Sequence, residues 1–330
     1  MLLDVRDLRV EFRTREGVAH AVNGVTYHVD AGETLAVLGE SGSGKSVTAQ
    51  AVMGILDAPP GRITGGEILF RGRNLLTLKE EERRRIRGAE MAMIFQDALS
   101  ALNPVLSVGD QLGEMFVVHR GMSRKDARVR AVELMDRVRI PAARQRVRDY
   151  PHQFSGGMRQ RIMIAMALAL EPALIIADEP TTALDVTVQA QVMDLLAELQ
   201  HEYRMGLILI THDLGVVADV ADRIAVMYAG RIVECAPVHD LYKAPAHPYT
   251  RGLLDSIPRL DHKGRELYAI KGLPPSLLAI PPGCPFHPRC PMARDVCRTD
   301  VPSLYAVDEA GAAAGARGSA CHFWRECLHG

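Results

Sequence analysis

The sequence predicts an α/β fold built on a mainly parallel sheet. Short apolar runs, typical of buried strands, alternate with amphipathic stretches typical of helices. Two such runs are "ETLAVLG" (33–39) and "ALIIADE" (173–179), and the amphipathic run "VQAQVMDLLAELQHEY" (188–203) follows the second. A glycine-rich loop directly after the first run supports this fold, because parallel sheets carry their ligand-binding loops at the carboxyl ends of strands.

The predicted elements succeed one another as far as about residue 235, with no internal repeat. Residues 108–170 are mostly helical by pattern, with breaks at Gly121, Pro141 and Pro151, and form a helical insert in the α/β core. The remaining predictions are strands over 2–12, 22–29, 33–39, 66–75 (a strand and turn), 173–179 and 206–213, a hairpin over 222–235, and helices over 46–56 and 188–203.

The composition is that of a soluble globular protein. The chain has 330 residues, of which 48% are apolar and 24% charged, and its net charge of −1 argues against a nucleic-acid partner. The most apolar stretch (162–177) is interrupted by Glu171 and Pro172, so neither half is long enough to cross a membrane. The N-terminus lacks the apolar core of a signal peptide. We therefore expect a protein of the reducing cytosol that could still sit on a membrane protein.

The composition and the hydrophobic pattern of the sequence change after about residue 237. Prolines crowd this part and long periodic segments disappear, which predicts a separate C-terminal domain. The low-complexity run "EAGAAAGARGS" (309–319) predicts a mobile loop. Five of the six cysteines lie after residue 280, and clustered cysteines in a reducing compartment indicate metal more than disulfides.

A phosphate-binding loop, "GESGSGKS" (39–46), follows a predicted strand and precedes a predicted helix, as that motif requires. The glycines allow backbone N–H groups to surround phosphates, and the helix N-terminus adds positive potential. Lys45 should reach the β- and γ-phosphates of ATP, and Ser46 should ligate Mg²⁺. The predicted ATP-binding residues of this loop and helix are Gly39, Ser41, Gly42, Ser43, Gly44, Lys45, Ser46 and Thr48.

Polar side chains at the ends of other strands complete a hydrolytic site. Asp178 can hold Mg²⁺ through water, and Glu179 can orient or deprotonate the attacking water. Gln96 can ligate Mg²⁺ through its amide oxygen, and His212 can bond the γ-phosphate and steady Glu179. Taken singly, these residues have ordinary alternatives as surface acids, a surface glutamine and a structural histidine.

Residues 1 to about 235 together resemble the nucleotide-binding subunits of ABC transporters. "FSGGMRQ" (154–160) is similar to that family's signature sequence, which caps ATP held by the phosphate loop of a second subunit. The resemblance implies a P-loop NTPase (RecA-like) core with an antiparallel β subdomain, a helical signature subdomain over about 97–170, and a small Pro/Cys-rich C-terminal domain. The implied division is an ATPase domain over 1–236 and a tail over 237–330.

The resemblance also assigns residues to a head-to-tail dimer. Its implied signature residues are Ser155, Gly156, Gly157 and Gln160. "TTALDVT" (181–187) matches the loop that crosses the dimer interface, with Asp185 as its acid, although Thr182 stands where the family usually has Ser. Phe12 occupies the position where the family stacks an aromatic ring on adenine, and a core role for this strand residue is the alternative.

Three stretches resemble the oligopeptide and dipeptide importers within this family. They are "FQDALSALNPVLSVGDQL" (95–112), with Ala98 where these proteins usually carry Pro, "YPHQFSGGMRQR" (150–161) and "HPYTRGLLDSIP" (247–258). This resemblance implies a peripheral subunit at the cytoplasmic face of the cell membrane. Its implied partners are a second ATPase subunit (a paralogue or a copy of itself), two transmembrane permease subunits and an extracytoplasmic solute-binding protein. Nickel and glutathione importers in the same branch remain alternatives.

The C-terminal cysteines resemble those of peptide-importer ATPases that carry a [4Fe–4S] cluster. Cys284, Cys290, Cys297 and Cys321 are the implied ligands, with Cys327 as an alternative to Cys321. Their spacing lacks the close pairs that zinc sites prefer, and it differs from common ferredoxin runs. Zinc, or no metal at all, therefore stays open.

Two other classes of protein carry part of this motif set. DNA-repair ABC ATPases have long coiled-coil inserts between the phosphate loop and the signature sequence, whereas only about a hundred residues separate these two motifs here. Ribosomal members have two ATPase cores in one chain, and this chain has one. A scaffold that binds ATP without turnover is disfavoured because Glu179 and His212 are both present.

Overall fold

The computed structural model describes residues 1–256, 270–307 and 317–329. The strands are β1 Leu3–Thr14, β2 Gly17–Val29, β3 Thr34–Leu38, β4 Gly61–Phe70, β5 Arg73–Asn74, β6 Met91–Ile94, β7 Leu174–Asp178, β8 Gly206–Ile210, β9 Arg223–Tyr228, β10 Arg231–Pro237, β11 Tyr305–Ala306 and β12 Gly318–Ser319. The helices are α1 Lys45–Met53, α2 Glu80–Ile86, α3 Ala98–Ala101, α4 Val108–Arg120, α5 Arg124–Arg137, α6 Ala143–Arg146, α7 Gly156–Leu168, α8 Val186–Tyr203, α9 Leu214–Val220, α10 Val238–Lys243, α11 Pro248–Asp255, α12 Asp295–Thr299 and α13 Trp324–His329.

The described chain divides into two compact units. The first unit comprises Met1–Leu2, Val29–Glu33 and Thr77–Ile210. The second unit comprises Leu3–His28, Thr34–Leu76 and Thr211–Gly330. The C-terminal residues thus belong to the same unit as the phosphate loop, so the separate tail domain over 237–330 stays a prediction.

The first unit contains three parallel strands, β6, β7 and β8, with β7 in the middle. Every residue of these strands is buried, as expected for parallel strands covered on both faces. Asp178 stands at the carboxyl end of β7, so the strand delivers an acid to the edge of the sheet where ligands bind.

The helical insert of the first unit follows the predicted breaks. α4 and α5 begin at Ser107 and Ser123, whose hydroxyls accept hydrogen bonds from the backbone N–H groups of Asp110 and Asp126. Gly121 ends α4 in the left-handed region at φ 63°, where a side chain would be strained.

The second unit holds a four-stranded antiparallel sheet in the order β2-β1-β4-β5. Along β1, the apolar side chains of Leu3, Val5, Leu8 and Val10 are buried and most of the others are exposed. A register shift between Arg6 and Val10 interrupts the pairing of β1 with β4.

The second unit also holds β3, which pairs in parallel with β9. The predicted hairpin is present as β9 and β10, which pair antiparallel. The short strand β12 pairs antiparallel with β10 and also with β11. The predicted mobile loop over 309–319 is therefore wrong at Gly318–Ser319, which are buried in this pairing, while residues 308–316 lie outside the described residues.

An aromatic cluster anchors the C-terminal residues in the second unit. Tyr228, Tyr249 and Phe286 are nearly fully buried, and their ring centroids are 4.7 to 5.4 Å apart. His247 lies beside Phe286, and burial lowers the pKa of its imidazole to about 3, so it is neutral at physiological pH. Its Nδ1 accepts the backbone N–H of Tyr249 and thereby caps α11.

Candidate functional site

The phosphate loop (39–46) adopts a backbone that demands glycine. Gly39, Gly42 and Gly44 have φ values of 151°, 78° and 101°, a region that side chains rarely adopt. A Cβ at Gly39 would lie 2.2 Å from the carbonyl oxygen of Met227, and one at Gly44 would lie 2.4 Å from that of Ala21. The loop therefore packs against the backbone of Met227 and Ala21, and a ligand has to bind on the side of the loop that faces away from them.

Lys45 begins α1 and folds back over the loop. Its Nζ donates to the carbonyl oxygens of Gly39 at 2.8 Å and Glu40 at 3.0 Å, and its side chain is buried. These two bonds hold the positive charge of Lys45 against the backbone of the loop. Its predicted contact with the phosphates of ATP stays a prediction.

The hydroxyls of the loop differ in what they contact. The buried Ser43 Oγ has no hydrogen-bond partner among the described residues. Thr48 Oγ1 donates to the carbonyl oxygen of Gly44 at 2.8 Å and is buried within the helix. Ser41 is exposed and Ser46 half-buried. The hydroxyl of Thr48 donates its hydrogen bond to the backbone of Gly44 at the start of its own helix. Its contact with ATP therefore stays a prediction.

Glu179 and Gln96 come together in the first unit. Gln96 Nε2 donates to Glu179 Oε2 at 3.2 Å, and Thr182 Oγ1 donates to the same oxygen at 2.9 Å. The backbone N–H of Glu179 donates to the carbonyl oxygen of Ile210 at 2.8 Å. Glu179 is thus fixed by bonds to its side chain and to its backbone.

Glu179 also carries backbone strain. Its φ is 45°, in the left-handed region that few residues other than glycine adopt, and such outliers cluster at functional sites. Asp178, the residue before it, is buried at the end of β7. Sequence reasoning missed the contact of Thr182 with Glu179, although its spacing of three residues after Glu179 could have indicated it.

His212 and Phe12 belong to the second unit. His212 follows β8 by two residues and is exposed, and Phe12 is half-buried on β1, where it pairs with Gly61 of β4. Their predicted contacts with the γ-phosphate and with adenine stay predictions.

The signature segment (154–160) forms the start of α7. Ser155 is the N-cap of the helix, and its exposed side chain accepts from the backbone N–H of Met158 at 3.4 Å. Gly156 is exposed, and the side chain of Gln160 is buried, with its Nε2 lacking a hydrogen-bond partner within the described part of the chain. The helix N-terminus therefore presents small, exposed residues.

Gly157 has a packing role that the sequence did not indicate. A Cβ there would lie 2.5 Å from Val188 Cγ1, so glycine lets α7 and α8 approach closely. Asp185 is exposed and caps α8, because its Oδ1 accepts the backbone N–H of Val188 at 2.9 Å. Its predicted place in a dimer interface stays a prediction.

The C-terminal cysteines influence one another electrostatically. The pKa of the Cys290 thiol is raised to about 11, chiefly by burial and to a smaller extent by the thiols of Cys284, Cys297 and Cys327. Burial likewise raises the pKa of Cys321 to about 12, with contributions from Cys327, Cys290 and Cys284. These high pKa values keep the thiols protonated in the absence of a cation.

The predicted ligand set for a cluster is not assembled. Over residues 1–256, 270–307 and 317–329, no three His, Cys, Asp or Glu side chains are grouped closely enough to hold a metal ion. The [4Fe–4S] prediction therefore lacks support from the side-chain geometry. His287 and His322 bond the backbone oxygens of Cys284 and Asp300.

Known proteins share both parts of this chain. The ABC transporter family model matches residues 22–182, and the model for the oligopeptide/dipeptide transporter C-terminal region matches residues 233–297. The oligopeptide transport ATP-binding protein OppD of Salmonella typhimurium (strain LT2) is 54% identical over 302 residues, which cover 92% of this chain and 90% of that protein. The dipeptide transport ATP-binding protein DppD of Bacillus subtilis (strain 168) is 54% identical over 296 residues, covering 90% and 88%.

The chain belongs to the ATP-binding subunits of ABC transporters. Solved structures agree with this membership. The dimeric ATP-binding cassette MJ0796, in a post-hydrolysis state with ADP and Pi, matches with a TM-score of 0.64 and 27% identity, covering 72% of this chain and 98% of that chain. The predicted fold class, an ABC-type P-loop NTPase, is confirmed, and so is ATPase activity of the ABC type.

This ABC ATPase has no membrane-crossing helix within its described residues, because none is both long and apolar enough. Of its predicted site residues, the structure joins Gln96 to Glu179, and it packs Lys45 onto the phosphate loop. The individual roles of the ATP-site, signature and cysteine residues remain proposals.

Proposed function

We propose that this chain is the ATP-hydrolysing subunit that powers import of di- and oligopeptides through a membrane ABC transporter. One observation carries the peptide assignment: relatives named as oligopeptide and dipeptide transport ATP-binding proteins are 54% identical over about nine-tenths of the chain. The match of residues 233–297 to the C-terminal region of such transporters supports it. The proposed partners are a second ABC ATPase subunit, two permease subunits and an extracytoplasmic solute-binding protein. The proposed location is the cytoplasmic face of the cell membrane.

We propose the following division of labour in the ATP site. The phosphate loop and Lys45 bind the β- and γ-phosphates, and Phe12 stacks on adenine. Glu179 orients and deprotonates the attacking water, and the bonds from Gln96 and Thr182 hold its carboxylate in place. His212 contacts the γ-phosphate. Ser46, Asp178 and Gln96 supply oxygen ligands for Mg²⁺, which neutralises phosphate charge when bound.

The signature segment is proposed to act on ATP held by a second subunit. Its exposed Ser155 and Gly156 at the N-terminus of α7 support this role, because such a terminus favours anions. ATP binding would then close two subunits head to tail, with Asp185 near the interface, and hydrolysis would release them.

The test of the ATPase mechanism is Glu179→Gln, which keeps the shape of the side chain and removes the base. We expect ATP turnover to fall by about 10²–10⁴-fold with ATP binding retained. The matched control is Glu198→Gln, which neutralises an exposed acid paired with Arg139 elsewhere in the first unit. Turnover at the native rate in Glu179→Gln would refute the role of Glu179.

The test of the substrate is uptake by cells that depend on this transporter. Deletion of the gene should abolish uptake of radiolabelled di- and oligopeptides, and the wild-type gene, but not the Glu179→Gln gene, should restore it. Unchanged peptide uptake combined with loss of nickel or glutathione uptake would replace peptides by that solute.

We further propose that Cys284, Cys290, Cys297 and Cys321 bind a [4Fe–4S] cluster, with Cys327 as the alternative to Cys321. Support comes from the backbone N–H of Cys284, which donates to the carbonyl oxygen of Cys297 at 2.9 Å, and from the contributions of neighbouring thiols to the raised pKa values of Cys290 and Cys321. A bound cluster would lower those pKa values, because metal ligation requires thiolates. The described side chains are not grouped as a ligand set, so the cysteines would have to draw together on binding.

Iron, acid-labile sulfide and zinc per chain, measured on protein purified without oxygen, test this proposal. About four irons and four sulfides are expected, with loss in Cys290→Ser and retention in the matched control Cys235→Ser. Cys235 lies on β10 next to Arg223, outside the group of interacting thiols. Zinc alone, or no metal, would refute the cluster.

A further inference from the structure

Glu40, the second residue of the phosphate loop, is held from three sides. Its carbonyl oxygen accepts from Lys45 Nζ at 3.0 Å. Its backbone N–H donates to Tyr249 Oη at 2.9 Å. Its carboxylate accepts two hydrogen bonds from the guanidinium of Arg289, at 2.7 and 3.0 Å. Two of these partners, Tyr249 and Arg289, come from the C-terminal residues of the second unit.

Arg289 is fixed by groups other than Glu40. Its Nε donates to the carbonyl oxygen of Lys271 at 3.1 Å, and its Nη1 donates to Tyr228 Oη at 3.3 Å. The guanidinium also lies 5.8 Å from the centre of the Tyr228 ring, and only 6% of the side chain is exposed. A rigid, bidentate and largely desolvated pair of this kind is specific in geometry as well as charge.

Tyr249 is equally well fixed. It is fully buried on α11, and its ring packs against those of Tyr228 and Phe286. Its hydroxyl therefore presents a fixed acceptor to the backbone of the phosphate loop. Sequence reasoning gave no role to Glu40, Tyr249 or Arg289, because 209 and 249 residues separate the partners along the chain.

The charge of Glu40 poses a problem for a loop that binds phosphates. A carboxylate beside the β- and γ-phosphates would repel them, and this repulsion is strong where solvent is excluded. Its side chain is 25% exposed, so water screens it only partly. Arg289 neutralises this carboxylate through its two hydrogen bonds.

We propose that Arg289, with Tyr249, is a positioning residue for ATP binding: it neutralises Glu40 and fixes the start of the phosphate loop from the C-terminal part of the chain. This inference rests on the proposed function, in which the loop binds the phosphates of ATP. It assigns to the C-terminal residues a direct part in nucleotide affinity.

The test compares the dissociation constant of MgATP for the full chain and four variants by equilibrium titration. Arg289→Gln should weaken binding by about tenfold, because it leaves Glu40 unneutralised. Glu40→Gln should bind at least as well as wild type. The double variant Glu40→Gln/Arg289→Gln should recover most of the loss, which a purely structural role of Arg289 would not allow. Arg289→Lys keeps the charge and should lose less than Arg289→Gln.

The matched control is Arg294→Gln. Arg294 lies five residues further along and pairs with Glu326, away from the loop, so the same charge change should leave ATP affinity unchanged. Native affinity in Arg289→Gln, or a double variant as weak as Arg289→Gln, would overturn the proposal. Lys45→Ala separates it from the proposed function: if that variant also binds ATP normally, the assignment of the loop itself fails.

Discussion

The phosphate loop and the signature segment both place glycine at the start of a helix, but for different physical reasons. Gly44 precedes α1 at φ 101°, and a Cβ there would meet the backbone oxygen of Ala21. Gly157 has an ordinary φ, and a Cβ there would meet the side chain of Val188 on the neighbouring helix. The first glycine is required by the local backbone, whereas the second is required by helix packing.

Gly44→Ala should have the largest effect on ATP affinity and stability, and it tests whether the local backbone requires glycine at this position. The new Cβ would meet a backbone oxygen that cannot move away, so the loop must change shape. We expect ATP affinity to fall by more than about 100-fold and unfolding to cost about 1–3 kcal/mol less. Isothermal titration with MgATP and urea unfolding measure the two effects.

The control for Gly44→Ala is Gly72→Ala. Gly72 also has a positive φ, of 77°, but a Cβ there meets nothing within 4 Å. Its stability should fall while its ATP affinity stays native. Equal losses of affinity in the two variants would mean that positive φ alone, rather than the contact with Ala21, demands glycine.

Gly157→Ala should have the next largest effect, and it tests whether the packing of α7 against α8 requires glycine. The Cβ would overlap Val188, and overpacking of this size costs about 1–3 kcal/mol. Urea unfolding should show this loss, and the compensating pair Gly157→Ala/Val188→Ala should recover part of it. No recovery in the pair would place the requirement for glycine elsewhere than in the contact of α7 with α8.

Ser155→Ala should have a smaller effect on stability. It removes the N-cap hydroxyl of α7, which typically costs about 1 kcal/mol. Ser155→Asp restores a capping acceptor and should recover the stability. It should not recover ATP turnover, since a carboxylate at this terminus would repel a γ-phosphate. Native turnover in Ser155→Asp would contradict the proposed anion site.

Gly156→Ala should change stability least. Its new Cβ would make only an ordinary contact, 3.7 Å from Leu184 Cδ2, and alanine favours the helix by up to about 1 kcal/mol. ATP affinity of the isolated chain should be native. Turnover in the assembled transporter should nevertheless fall, because the exposed face at Gly156 is proposed to receive the partner's nucleotide. Unchanged turnover would separate Gly156 from that role.

The sequence predicted the strands, the helices and the presence of a phosphate loop well, because these depend on local patterns. Buried strands such as β3 are recognised by their apolar runs. The loop motif determines its own backbone conformation because Gly39 and Gly44 adopt positive φ values. The family resemblance places Gln96 and Glu179 in the same site, where they form a hydrogen bond. It does not indicate the hydrogen bond that Thr182 donates to Glu179.

The C-terminal residues were predicted least well. Their short strands β11 and β12 are specified by pairing with each other and with β10 rather than by their own composition, so the composition of Gly318–Ser319 predicts a loop where the structure has a strand. The cysteine ligand set was inferred from resemblance, and the described side chains do not form it. Contacts between residues some two hundred positions apart leave no pattern in a single sequence.

By itself, the sequence determined the fold class, the phosphate loop and the acids at the strand ends, because these follow from periodicity and from motifs of fewer than ten residues. The signature segment was indicated by its resemblance to the ABC family. Only the tertiary structure decided that Gly157 serves helix packing, that Thr182 supports Glu179 and that Arg289 neutralises Glu40. The physical reason is range. Backbone conformation and burial pattern are encoded locally, whereas close packing and the pairing of buried charges arise between segments that only folding brings together.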